Sequence, residues 1–136
     1  MKKLLILFLL LLVSATSFSQ FTKKKESYYQ AYFAERIHGQ KEIVLDDKTR
    51  VDVLTDTFAI EVDFAEKWSE SVGQSILYSE KLHKKAGILL IINGREDDRF
   101  VQRLMIVAIK CDITVWVLNY KDDSWGKVDV ITKIVY

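Results

Sequence analysis

Gly87 is followed by five consecutive aliphatic residues, Ile88-Leu-Leu-Ile-Ile92, and then by the turn dipeptide Asn93-Gly94. An apolar run this short, bounded in this way, reads as a β-strand. Successive side chains on a strand point to opposite faces, so both faces of this one need cover. That demand is met by a sheet with helices packed against it. The chain supplies the helices. Ala65, Trp68, Val72, Ile76 and Leu82 recur at helical intervals through Ala65–Lys85, and Phe100, Leu104, Val107 and Cys111 do so along a helix that Asp97 or Asp98 can cap and that runs through Lys110. A third helix is expected over Ser27–His38, where Tyr28, Tyr29, Tyr32, Phe33 and Ile37 are spaced three and four apart and Gly39 ends the pattern. Its tyrosine row suits packing on a sheet or stacking on nucleic-acid bases, and the helical spacing favours packing.

Three strands are expected between the Ser27–His38 and Ala65–Lys85 helices. Glu42–Leu45 leads into the polar tetrad Asp46-Asp47-Lys48-Thr49. Arg50–Leu54 alternates, with Val51 and Val53 on one face and Arg50 and Asp52 on the other. After a tight turn at Thr55-Asp56, Thr57–Phe64 sets Phe58, Ile60, Val62 and Phe64 on one face and Thr57, Ala59, Glu61 and Asp63 on the opposite one. Beyond the helix that runs through Lys110, Ile113–Leu118 and Val128–Tyr136 read as strands, separated by a polar loop at Asp122–Lys127 with Trp125 as an anchor. The fold class is α/β: a single domain with a central mixed β-sheet flanked by helices. A length of 136 residues, about half of them apolar, suits one such domain.

Lys2 and Lys3 precede an unbroken apolar run, Leu4–Val13, and then the small and polar residues Ser14–Gln20. This is the pattern of a secretory signal peptide, expected to occupy residues 1–19 and to leave 20–136 as the domain. As a helix the run spans about 15 Å, too short for a hydrocarbon core of ~30 Å, so no membrane span is expected after cleavage and a secreted or periplasmic location follows. The single cysteine, Cys111, excludes an internal disulfide framework and a multi-cysteine zinc site, and its apolar neighbours predict a buried thiol. Twenty Lys+Arg against 19 Asp+Glu exclude a broadly basic coat protein, though not a local basic patch.

The chemistry-bearing residues concentrate between Arg50 and Tyr78. Asp52, Glu61 and Asp63 are carboxylates on strands otherwise rich in β-branched and aromatic residues. Glu61 and Asp63 share a face, and pairing through the Thr55-Asp56 turn brings Asp52 near Glu61. Clustered carboxylates need a proton, a basic neighbour or a cation, and an all-oxygen set suits Mg²⁺ or Mn²⁺, which can polarise a phosphodiester and acidify water. On the following helix Lys67, Ser71, Gln74 and Tyr78 are spaced four, three and four apart, so they are expected along one side as a groove.

These residues resemble the PD-(D/E)XK nuclease superfamily, which includes restriction endonucleases and Holliday-junction resolvases. The stretch Arg50–Asp63 and the segment Gln74-Ser-Ile-Leu-Tyr78 carry the resemblance, with a restriction-endonuclease-like αβββαβ core over residues 27–92. The resemblance implies metal binding by Asp52 and Glu61 and DNA contact by Gln74 and Tyr78. It implies a metal-dependent, exported deoxyribonuclease, with Mg²⁺ or Mn²⁺ as cofactor and DNA as partner. The family's lysine belongs two residues after Glu61, where this chain has Asp63. Lys67 then stands as a migrated lysine, or Asp63 as a further metal ligand. The alternative is a catalytically inactive module of the same fold that binds nucleic acid or protein.

Overall fold

The computed structural model describes residues 22–128. The proposed signal peptide and nearly all of the final strand-like segment lie outside them. Within them three α-helices, α1 (Glu26–Arg36), α2 (Trp68–Leu82) and α3 (Asp98–Lys110), accompany six strands. The strands are β1 (Gln40–Val44), β2 (Arg50–Leu54), β3 (Phe58–Phe64), β4 (Lys85–Ile92), β5 (Thr114–Asn119) and β6 (Ser124–Lys127). They form one mixed sheet in sequential order. The first three make an antiparallel meander, β3, β4 and β5 run parallel, and β6 returns antiparallel. The parallel pairs need crossovers, which α2 and α3 provide. The fold is thus the α/β architecture expected, with helix, three strands, helix and strand in order over residues 26–92.

Strand β4 is central and buried on both sides. Leu89 and Ile91 join Tyr29, Phe33 and Ala34 of α1 in one core layer, together with Ile60, Val62, Trp116 and Leu118. Ile88, Leu90 and Ile92 join Val101, Leu104 and Ala108 of α3 in the other, with Trp68, Val72 and Ile76 of α2 against them. At Gly87 the sheet is so close to Trp116 that an added Cβ would lie 2.9 Å from Ile60 Cγ1 and 3.0 Å from Trp116 Cζ3.

Four details depart from the expected pattern. Val51 and Val53 do not share a cluster: Val53 packs in the α1 layer, Val51 with Ala59 and Tyr78. The cause is Asp52. Its Oδ2 accepts the Val62 N–H at 2.9 Å, and ladder pairing between β2 and β3 is confined to Val53–Ile60 and Leu54–Ala59. The long second helix begins as a 3₁₀ turn, Ala65–Lys67, and ends at Leu82, where left-handed His83 (φ 52°) turns the chain. Cys111 is exposed, not buried. The chain leaves α3 there, left-handed Asp112 (φ 54°) redirects it, and Ile113 takes the inward place with its N–H donating to Ala108 O at 2.9 Å. Finally, Ser124–Lys127 is an edge strand, not a loop. Asp122 Oδ1 accepts the Ser124 N–H at 3.0 Å and closes the turn, while Trp125 meets Phe33 edge-on at 5.4 Å.

Gly87→Ala is expected to destabilise the fold by about 1–3 kcal/mol, because neither the branched Cγ1 of Ile60 nor the Trp116 ring can step aside without repacking. Urea denaturation, reading the midpoint at constant slope, measures it. An unchanged midpoint would contradict this close approach.

Candidate functional site

The carboxylates of β2 and β3 converge toward the carboxyl end of β3, where the chain passes into α2. On β3, Ala59, Glu61 and Asp63 alternate with Ile60 and Val62, so the acidic pair faces α2 while the aliphatic residues face α1. Both acids are buried, Glu61 at 3 % exposure and Asp63 at 6 %. Asp52 lies one residue beyond the Val53–Ile60 pair, its carboxylate tied to the neighbouring strand by the Val62 N–H.

Each carboxylate meets burial differently. Asp63 is satisfied: Ser71 Oγ, itself buried on α2, donates to Oδ2 at 2.7 Å, and Lys67 Nζ lies 3.6 Å from Oδ1. Burial raises the Asp63 carboxyl, and Ser71 and Lys67 oppose that rise. Lys67 is raised by Asp63 and then by Glu26, whose Oε2 is 4.0 Å from Nζ. Asp52 is pushed up to about 6, mainly by burial, with the Val62 N–H pulling the other way. Glu61 is pushed up to about 9 by burial and then by Asp52 and Asp63, and its Oε1 is buried without a hydrogen-bond partner. A carboxylate in that position needs a proton or a cation.

Two further residues complete the setting, both on α1 and neither singled out from the sequence. Glu26 faces the cluster, its carboxyl raised by burial and then by Asp63. Gln30, buried, donates from Nε2 to Asp52 O at 2.7 Å and to Glu42 Oε1 at 2.7 Å, fixing the backbone that carries Asp52. Glu42 also holds Arg50 through Nε at 2.7 Å. The available signal was the spacing of Glu26 and Gln30, one turn apart on the helix that buries Tyr29 and Phe33.

The groove expected along α2 divides. Ser71, Ser75 and Tyr78 face inward and are buried, whereas Gln74 is exposed. Tyr78, at 4 % exposure, packs with Val51 and Ala59, and hydrogen bonds at the Arg50 backbone and the Thr49 side chain accommodate its hydroxyl. It lies on the inner side of the helix while Gln74 lies on the outer side. Lys67 is half-exposed at the mouth. The structure therefore gathers Asp52, Glu61, Asp63 and Lys67 into one electrostatic cluster and separates Gln74 from Tyr78. Among the described residues, no group of three or more His, Cys, Asp and Glu converges closely enough to hold a metal ion.

No protein-family model and no solved structure matches the chain. It is similar to a protein of Acanthamoeba polyphaga mimivirus described as KilA-N domain-containing, at 27 % identity over 94 residues, covering 67 % of this chain. The aligned part spans 25 % of that protein's length. Among the described residues, no helix is long and apolar enough to cross a membrane.

Glu61 gives the site a pH signature. In the unfolded chain it titrates near 4.5, and in the fold near 9. The folded chain holds the proton through that window, so the stability linked to it is fully present below about 4.5 and is lost as pH rises toward 9. Glu61→Gln keeps the shape and removes the titration. In metal-free buffer the variant is expected to be more stable than the parent at about pH 8, by about 1 kcal/mol or more, with the difference shrinking toward about pH 5. Thermal melts across this range test it, and parallel curves for the two proteins would contradict the burial of a titrating carboxyl at 61.

Proposed function

We propose that the chain is a metal-dependent nuclease of the PD-(D/E)XK kind, hydrolysing DNA phosphodiester bonds at the Asp52–Glu61 site. One observation carries the reading: a buried carboxylate with an unpartnered oxygen, Glu61, interacts with a partly buried carboxylate of the adjacent strand, Asp52, next to a lysine held by a third carboxylate. The donor set is hard oxygen, and Mg²⁺ or Mn²⁺ is typically held by one or two carboxylates and completed by water and phosphate oxygens, so two protein ligands suffice. When bound, the ion would supply Lewis acidity to the phosphate oxygens and lower the pKa of a water.

In this reading Asp52 and Glu61 hold the ion. Gln30 and the Val62 N–H keep Asp52 in place. Lys67, from the 3₁₀ turn that leads into α2, takes the part of the family's lysine, and its ammonium offers charge to the phosphate as negative charge develops on it. Asp63 holds that ammonium and Ser71 fixes Asp63. Gln74, exposed on α2, is placed to contact flanking backbone. Tyr78 supports the β2–β3 floor from beneath. The apolar leader at residues 1–19 supports an exported location for this activity.

A second reading has its own support. Asp63 stands two residues after Glu61, where the resemblance calls for a lysine, and it already pairs with Lys67, as suits an inactive module that binds nucleic acid or protein.

The purified protein is expected to cut DNA in Mg²⁺ or Mn²⁺ and not in EDTA. Glu61→Gln is expected to reduce cutting to background while the fold persists by circular dichroism. Lys67→Ala is expected to lower the rate by about 100-fold, the scale of removing one charge-stabilising donor, without abolishing ion uptake. Cleavage unaffected by EDTA or by Glu61→Gln would overturn the nuclease reading. Folded protein that binds without cutting would establish the inactive module.

A further inference from the structure

The tyrosine row of α1 divides between core and surface. Tyr29 and Phe33 are buried, whereas Tyr28 is 46 % exposed and Tyr32 is half-buried. Tyr28, Tyr32 and Arg36 follow at intervals of four on α1, so they form one stripe, and exposed Lys24 and Lys25 precede it in the extended lead-in. Successive members rise about 6 Å along the axis. The ring of Tyr28 stands edge-on to Tyr29 at 5.2 Å. The Arg36 guanidinium lies over the Tyr32 ring, 3.3 Å from its centre, and donates to Tyr32 O at 3.0 Å. A guanidinium plane so held is itself a stacking surface.

The stripe begins beside the candidate site. The Lys24 N–H donates to the Tyr29 hydroxyl at 2.9 Å, which pins the lead-in to the helix. Lys23 sits over the Phe64 ring at 3.8 Å and within 3.5 Å of Glu66. Lys24 and Lys25 are exposed, and Glu26, the next residue, faces the carboxylate cluster through Lys67. Glu35 flanks the far half of the stripe beside Arg36, and Lys24 and Lys25 stand exposed at its other end next to Glu26.

Basic residues interleaved with rings suit a single nucleic-acid strand, whose phosphates need cations and whose unpaired bases need flat partners. A duplex hides its base faces and offers Tyr28 nothing to stack on. From this juxtaposition we infer that α1 is a single-strand binding track, with Tyr28 stacking on a base and Lys24 and Lys25 holding phosphates, that leads the strand toward Glu61. The direction of the strand and the substrate class rest on the nuclease reading. The binding itself rests on α1.

Fluorescence anisotropy of the full chain with labelled oligo-dT in EDTA tests it, with a duplex of equal length alongside. Oligo-dT is expected to bind more tightly than duplex. Tyr28→Ala is expected to weaken binding by about 10-fold or more, and Tyr28→Phe, which keeps the ring, to bind like the parent. Lys24→Ala/Lys25→Ala is expected to lower the slope of log affinity against log salt by about one unit or more. Equal affinity of Tyr28→Ala and parent, equal binding of duplex, or salt-independent binding, as a protein-docking face would give, overturns the track. Tyr28-dependent oligo-dT binding by a protein that never cuts supports the track and overturns the nuclease reading. Cleavage that ignores Tyr28 and the two lysines does the reverse.

Discussion

Everything about the site depends on strand β3 having to be buried on both faces while carrying two acids on one of them. Its α1 side is ordinary core, Ile60 and Val62 at 0 % and 1 % exposure. Its α2 side is Ala59, Glu61 and Asp63. A buried carboxylate without a partner is among the costlier features a small domain can hold. The fold provides for it unequally. Asp63 receives a hydroxyl and an ammonium. Asp52 receives a backbone N–H that would otherwise serve the sheet ladder. Glu61 has a hydrogen bond at the Asp52 backbone but keeps Oε1 unpartnered. A buried acid left partly unsatisfied beside two further carboxylates is where a proton or a cation lowers the cost of burial most.

The helices and strands were legible because periodicity and burial coincide. Ile88–Ile92 required two covered faces, and α1 and α3 supply them. Where the sequence misled, a polar side chain had taken over a backbone duty or the chain had changed direction. The alternation of β2 was a sound inference from Val51 and Val53, but Asp52 competes for the Val62 N–H, and no pattern of apolar residues records that. Cys111 fell on the apolar period of α3, yet the helix ends there and Ile113 fills the inward place. Ser124–Lys127 lacks the apolar alternation of a strand because, among the described residues, it lies at the sheet edge and none of its residues is fully buried, so only its pairing with β5 reveals it.

The acids of the site were legible by type and spacing, since three carboxylates on core-like strands are hard to explain otherwise. Its supports were not. Gln30 and Glu26 sit some twenty to thirty-five residues before the acids they serve. Only the packing of α1 across the sheet brings them there. The separation of Gln74 from Tyr78 was equally hidden. Their spacing of four places two helical residues near one another, but it does not say on which side of the buried boundary each falls. Ser71 and Ser75 are small enough to let α2 settle close to β3, and Tyr78 then fills the space over Val51 and Ala59.

The same closeness explains how an acid can stand at position 63. A lysine there would have to bring an ammonium into a space 6 % open to solvent, with the Ser71 hydroxyl already seated against it. An aspartate is shorter, accepts the hydroxyl, and reaches the residue one helical turn onward, Lys67, whose side chain is half in water. Burial of an ammonium is thereby avoided, and the positive charge stands at the mouth of the cluster. Lys67 also meets Glu26 there, so the cation bridges the end of β3 and the start of α1. The Lys67 ammonium therefore ties together the two elements that frame the site, Asp63 on one side and Glu26 on the other.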